Sequence, residues 1–299
     1  MIDRMHADAS SNNVVSNTQR VSIPVSSDAI AGTITLPEGE PSGVVIMHPA
    51  TATPERYYGA LAAYIASRGL AAVTYDYRGT GASGSPRAFR NVRMRDWMGI
   101  DVPHVAEWTR REFRGLPITA IGHSIGGHAL TLGYGVQHLE RFALVSSHVG
   151  ATRKIEPIGE RMRVGAILHA AGPALSRALG YMPGKRLGLG EDMPLGALLE
   201  WSKWVQQPSY FFDDPTMHAQ ARAASVDRDV LAIGASDDLW ASPQQMDALT
   251  NHLLRARVER CTYTPAELGA AKIGHHGLLR RNVGEPVWPE LVDWLVRGN

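Results

Sequence analysis

From residue 43 onward, short apolar runs alternate with stretches in which apolar residues recur at helical spacing. The runs at 43–47, 70–75, 117–121, 141–146, 229–234 and 257–263 predict strands. Helical spacing predicts helices over 55–68, 93–111, 125–138, 243–255 and about 286–296. The first of these stops at Gly69, a residue suited to the left-handed position after a helix. In the second, Trp97, Ile100, His104, Val105 and Trp108 are available for one face. Continuous apolar runs imply strands covered on both faces, and alternation with helices implies parallel strands. Two earlier segments, 21–25 and 30–36, read as an antiparallel opening pair, with Pro24 suited to an edge. The expected fold class is therefore α/β, with a mostly parallel eight-stranded sheet and helices on both faces.

The rhythm pauses over residues 151–226. No sheet strand is evident there, but Gly, Pro and short helical patterns are, with Trp201, Trp204, Tyr210, Phe211 and Phe212. A structureless loop of that length would be improbable, so an inserted helical unit is expected. Residues 1–20 are polar and read as a flexible tail. The core is expected at 21–150 and 227–299.

Composition narrows the partners. Of 299 residues, 44% are hydrophobic and 20% charged, enough for a sizeable core without staples. Net charge is +1 with no basic tract, so neither nucleic acid nor a polybasic membrane anchor is suggested. No secretory apolar region and no membrane span is visible, and a cytoplasmic location is the default expectation. Cys261 stands alone and reads as a small apolar strand residue. Homo-oligomer formation is left open.

Candidate chemistry begins at Gly122-His123-Ser124-Ile125-Gly126, a G-x-S-x-G pattern between a predicted strand and a predicted helix. A serine on so sharp a turn carries strained backbone angles, and its flanks need glycine for space. The following helix aims its free N–H groups and positive dipole end at the site. The bland reading is a plain strand-to-helix turn with an idle serine, and the matching context argues against it.

A serine nucleophile needs donors for the developing oxyanion. The N–H of Ile125, just after the serine, is one. The loop His48-Pro49-Ala50-Thr51 supplies the other. Proline cannot donate, which leaves Ala50 as first choice and Thr51 as alternative. His48 reads as a loop-shaping residue. In such triads the acid and then the histidine follow the serine. The strand ending at 234 runs into Ser236-Asp237-Asp238, and Asp238 is favoured over Asp237. One strand later comes Gly274-His275-His276-Gly277, where His275 is favoured over His276. The residues contain no spaced metal-ligand set, so neither metal nor cofactor is expected.

These pieces resemble the α/β-hydrolase superfamily over most of residues 21–297. Asp76-Tyr77-Arg78-Gly79-Thr80-Gly81-Ala82-Ser83 is similar to its D-x-R-G-x-G-x-S loop. More narrowly, Tyr75 to Gly79, Asp96-Trp97 with Asp101, Trp201 to Trp204, Asp237-Asp238 and Ile273 to Arg280 resemble a group of uncharacterised, predicted bacterial α/β hydrolases. The resemblance implies the α/β-hydrolase fold, a helical cap over 151–226 and a serine hydrolase with a small-molecule acyl substrate. One departure is His48-Pro49, where most members carry His-Gly. Asp76 and Arg78 read as loop braces, and the insertion's aromatics as packing first and pocket second. The expected reaction is ester hydrolysis. Acyl transfer, amide, thioester or C–C cleavage, and a non-catalytic ligand-binding role are the alternatives.

Overall fold

The computed structural model describes residues 17–298. Strands β1 (Asn17–Val25) and β2 (Asp28–Leu36) form the antiparallel opening pair, with Pro24 opposite Ala29 on the outermost strand. β1 begins at Asn17, so residues 17–20, expected in a tail, are strand; the remainder of that expected tail lies outside the described residues. Then follow β3 (Val44–His48), β4 (Ala71–Tyr75), β5 (Ile118–His123) and β6 (Arg141–Val145). After an insertion holding the two-residue strands β7 (Tyr181–Met182) and β8 (Met193–Pro194), β9 (Asp229–Ala235) and β10 (Arg257–Tyr263) complete the sheet.

The eight-stranded sheet has the order β1-β2-β4-β3-β5-β6-β9-β10, and all strands from β4 to β10 in that order run parallel. This is the α/β-hydrolase fold. Parallel pairing puts the C-terminal ends of β3, β5, β6, β9 and β10 on one edge, where ligands of open α/β sheets bind.

Burial follows strand periodicity. Ile46, Ala120, Leu144 and Ala232 face one core; Met47, Ile121, Val145 and Ile233 face the other. The first core is covered by helices Val102–Glu112, Ile125–Thr131 and Pro243–Thr250, the second by Gly59–Ser67 and Trp288–Val296. Burial on both faces is why the strand runs read as continuously apolar.

Two expectations change. The helix expected over 125–138 ends at Thr131; Gly133 and Gly135 both take φ of +75°, and a short turn of helix resumes at Val136–His138. The insertion is helical, but it also contains the β7–β8 pair, too short to leave a period-2 signal in the sequence.

That insertion is tied to the rest by charge. The Arg95 side chain pairs with Glu200 and, at 2.8 Å, with Asp214, which also accepts from the indole N–H of Trp204 at 3.0 Å. Glu200 and Trp204 lie on helix Leu195–Val205. Removing one partner would strand a buried charge, so the cluster fixes the insertion's position more than it adds stability.

Candidate active site

β5 delivers Ser124 to the ligand edge. Its φ of 52° and ψ of −110° are strained values for a residue with a side chain, and helix Ile125–Thr131 starts at once. The glycines are explained by space. A Cβ at Gly126 would lie 2.2 Å from the His48 carbonyl oxygen, and one at Gly127 1.9 Å from the Ser147 hydroxyl. The elbow is thus pressed against both neighbouring strands. Ser147 Oγ also donates to the Ser124 carbonyl oxygen at 3.1 Å.

The two aspartates have different partners. Asp238 Oδ2 lies 2.8 Å from His275 Nδ1, and its Oδ1 accepts from the N–H groups of Trp240 and Ala241 at 2.9 and 3.0 Å. Burial opposes charge on Asp238, but the facing His275 and these hydrogen bonds outweigh it and hold the carboxyl well below the usual range. An ionised carboxylate only accepts, so His275 Nδ1 carries the proton and Nε2 remains the basic nitrogen. Asp237 instead accepts from the N–H groups of Ile273 and Gly274 at 3.0 and 2.9 Å, bracing the loop that carries the histidines. His276 turns to Thr53, its Nε2 3.1 Å from Oγ1; burial and the neighbouring His275 lower its pKa to about 4.

Ser124 and His275 line one cavity of about 570 Å3. Among the described residues, the hydrogen bonds at Ser124 all run through its backbone, so the structure brings hydroxyl and imidazole into the same space without joining them. Contacts of this kind commonly tighten only in the substrate complex.

On the oxyanion side the two sequence candidates differ in their partners. Ala50, first choice from sequence, lines the cavity, and its N–H donates to the buried Tyr58 hydroxyl at 2.9 Å. Thr51, the alternative, lines the cavity, and its N–H has no partner among the described residues. Ile125 also lines the cavity with an uncommitted N–H, as the first residue of its helix. His48 is buried, with Nδ1 2.8 Å from the Tyr75 hydroxyl, and burial drives its pKa to about 3. Tyr77 donates to the Pro49 carbonyl at 3.1 Å. Asp76 accepts from the N–H groups of Glu55 and Ala82, and Arg78 pairs with Asp101 at 2.7 Å, so both brace loops through separate partners.

Residues 151–226 contribute Ile155, Val164, Ile167, Leu168, Leu198 and Val205 to the cavity lining. The insertion's aromatics divide. Trp201 and Tyr210 line the cavity, Trp204 and Phe211 are fully buried in packing, and Phe212 stacks on His252 at 3.7 Å. Sequence reasoning missed His128, His148 and Trp240, which also line it. Burial lowers His148 to a pKa of about 4, so it is neutral beside His275, with ring centres 5.5 Å apart. Only Trp240 had a signal, its place two residues after the acid. Among the described residues, no group of three or more His, Cys, Asp or Glu is placed to hold a metal ion, and no helix is long and apolar enough to cross a membrane.

Comparison with known proteins agrees with this frame. No curated protein matches the sequence. Among solved structures, the chain is similar to a soluble variant of monoglyceride lipase from Saccharomyces cerevisiae, with TM-score 0.68, 16% identity, and 95% of this chain and 97% of that one covered. It is similar to DcsB in complex with its substrate analogue, with TM-score 0.64, 16% identity and coverage of 94% and 100%. A thermostable carboxyl esterase from Bacillus coagulans matches with TM-score 0.58, 14% identity and coverage of 93% and 97%. At such identities these likenesses speak for the fold alone. The model of the alpha/beta hydrolase family matches residues 44–278, most of the chain, and the protein belongs to that family.

Proposed function

We propose that the protein is a serine hydrolase that cleaves a carboxylic ester through an acyl-enzyme on Ser124. The observation that carries this reading is the 2.8 Å Asp238–His275 contact in the same cavity as a serine held at a strained elbow. In this reading His275 Nε2 takes the Ser124 proton as the oxygen attacks the acyl carbon, then gives it to the leaving alcohol. Asp238 holds the imidazole in the required tautomer and stabilises its charged form. The N–H groups of Ile125 and Thr51 receive the oxyanion. Water, deprotonated by the same imidazole, releases the acid and restores the serine.

Residues 151–226 act as a cap whose apolar side chains take the acyl or alcohol part. The cavity volume lies in the range of small-molecule sites. Two of the similar structures are, by name, a carboxyl esterase and a monoglyceride lipase, which makes an ester the first substrate to try. Ser124→Ala is expected to lower turnover of short p-nitrophenyl esters by about a millionfold while leaving the circular dichroism spectrum unchanged. Unchanged rates would remove Ser124 from the chemistry.

A further inference from the structure

Behind the wall of the cavity a buried hydrogen-bonded row joins the two loops that flank Ser124. The Ala50 N–H lies 2.9 Å from the Tyr58 oxygen, that oxygen lies 2.9 Å from His123 Nδ1, and His123 Nε2 lies 3.0 Å from the carbonyl oxygen of His275. The direction of every bond follows from chemistry. A carbonyl oxygen only accepts, so His123 Nε2 carries the proton and Nδ1 accepts. The Tyr58 hydroxyl therefore donates to His123, and its oxygen is free to accept from Ala50. Tyr58 and His123 are each 1% exposed, and neither lines the cavity. Burial holds the pKa of His123 well below its ordinary value and that of Tyr58 well above, so both stay neutral and the row keeps its polarity.

The same segment is fastened twice more. Tyr57 donates to the His276 carbonyl oxygen at 2.6 Å, and Thr53 meets His276 Nε2 at 3.1 Å. Asp238 holds the His275 ring through Nδ1. The row adds a restraint at the backbone carbonyl of His275.

We propose that Tyr58 and His123 form a strut that positions His275 against the oxyanion loop for proton transfer, each acting as a positioning residue. The proposal rests on the triad reading above. Removing the Tyr58 hydroxyl leaves both the Ala50 N–H and His123 Nδ1 without partners in a dry site, so the imidazole that holds the His275 carbonyl loses its own support. Because the strut touches no substrate, its loss acts on kcat and not on KM.

The test compares two esters of one acyl group. A p-nitrophenolate leaves without a proton, whereas a simple alkyl alcohol needs one from His275. In Tyr58→Phe, kcat for the alkyl ester is expected to fall about tenfold further than for the p-nitrophenyl ester, with KM within about twofold of wild type. His123→Leu is expected to do the same, and the double variant to be no worse than the worse single, as residues of one unit behave. If Tyr58→Phe does not fold, His123→Leu alone reads the same ratio. Equal losses on both esters, or losses that add in the double variant, overturn the strut. Fluorophosphonate labelling of wild-type Ser124 separates the two ideas. No label at Ser124 removes the parent reading, while a label with an unmoved ester ratio removes only the strut.

Discussion

The two flanks of Ser124 are built from different kinds of groups. On one flank stand side chains, Asp238 and His275, joined at 2.8 Å, with Asp237 beside them bracing the loop. On the other stand backbone N–H groups of residues 50 and 51, one bound into the core by Tyr58 and the other uncommitted in the cavity. A side chain announces its chemistry in the sequence. A backbone donor does not, because every residue but proline has one and only the direction of the peptide plane decides its use.

The largest expected effect lies on the side-chain flank. Asp238→Asn should reduce kcat about ten-thousandfold, by leaving the imidazole without its ionised partner. Asp237→Asn should reduce it only a few-fold and act instead on thermal stability, since its task is to receive two loop N–H groups. Steady-state kinetics and melting curves of the two variants check this contrast, and a crippled Asp237→Asn enzyme would break it. The backbone flank is sharpened by replacing a single residue with its α-hydroxy acid, which swaps the N–H for an oxygen. At Thr51 this should cost about a hundredfold in kcat, as loss of one oxyanion donor does. At Ala50 the loss should be smaller, and the reverse order would return Ala50 to the site.

The smallest effect concerns pH. Burial brings His48 and His128 to pKa values of about 3 and His148 to about 4. In the unfolded chain such groups titrate near ~6.5, so below that pH the unfolded state binds more protons and stability falls. This contribution is complete above about pH 6.5 and is lost progressively toward about pH 3. The depressed Asp238 carboxyl has the same sign lower down, adding stability above ~3.9 and losing it as pH falls further. Calorimetry should therefore show a melting temperature that drops steadily below about pH 6.5. A flat profile down to about pH 4 contradicts the burial of these histidines as neutral groups.

Much of the fold was legible because the parallel strands are buried on both faces and leave unbroken apolar runs. Val44 to Met47 and Phe142 to Val145 carry that signal without interruption. The β7–β8 pair was not legible, since two residues have no period. The break after Thr131 was hidden because Gly133 and Gly135 sit within an otherwise helical pattern, and only their positive φ reveals the turn. At the site, Ser124 and Asp238 stood out as reactive types just past strand ends, and His275 as a glycine-flanked histidine in the loop after the last strand. Tyr58 and His123 did not. One caps the start of helix Gly59–Ser67 and the other fills a variable place in the serine motif, so only their three-dimensional meeting gives them a role.

The most direct measurement is fluorophosphonate labelling followed by peptide mapping. The account predicts one modified serine, Ser124, with labelling abolished in Ser124→Ala and slowed at least about a hundredfold in His275→Ala. A label on any other residue, or labelling of Ser124 that is indifferent to His275, would contradict it.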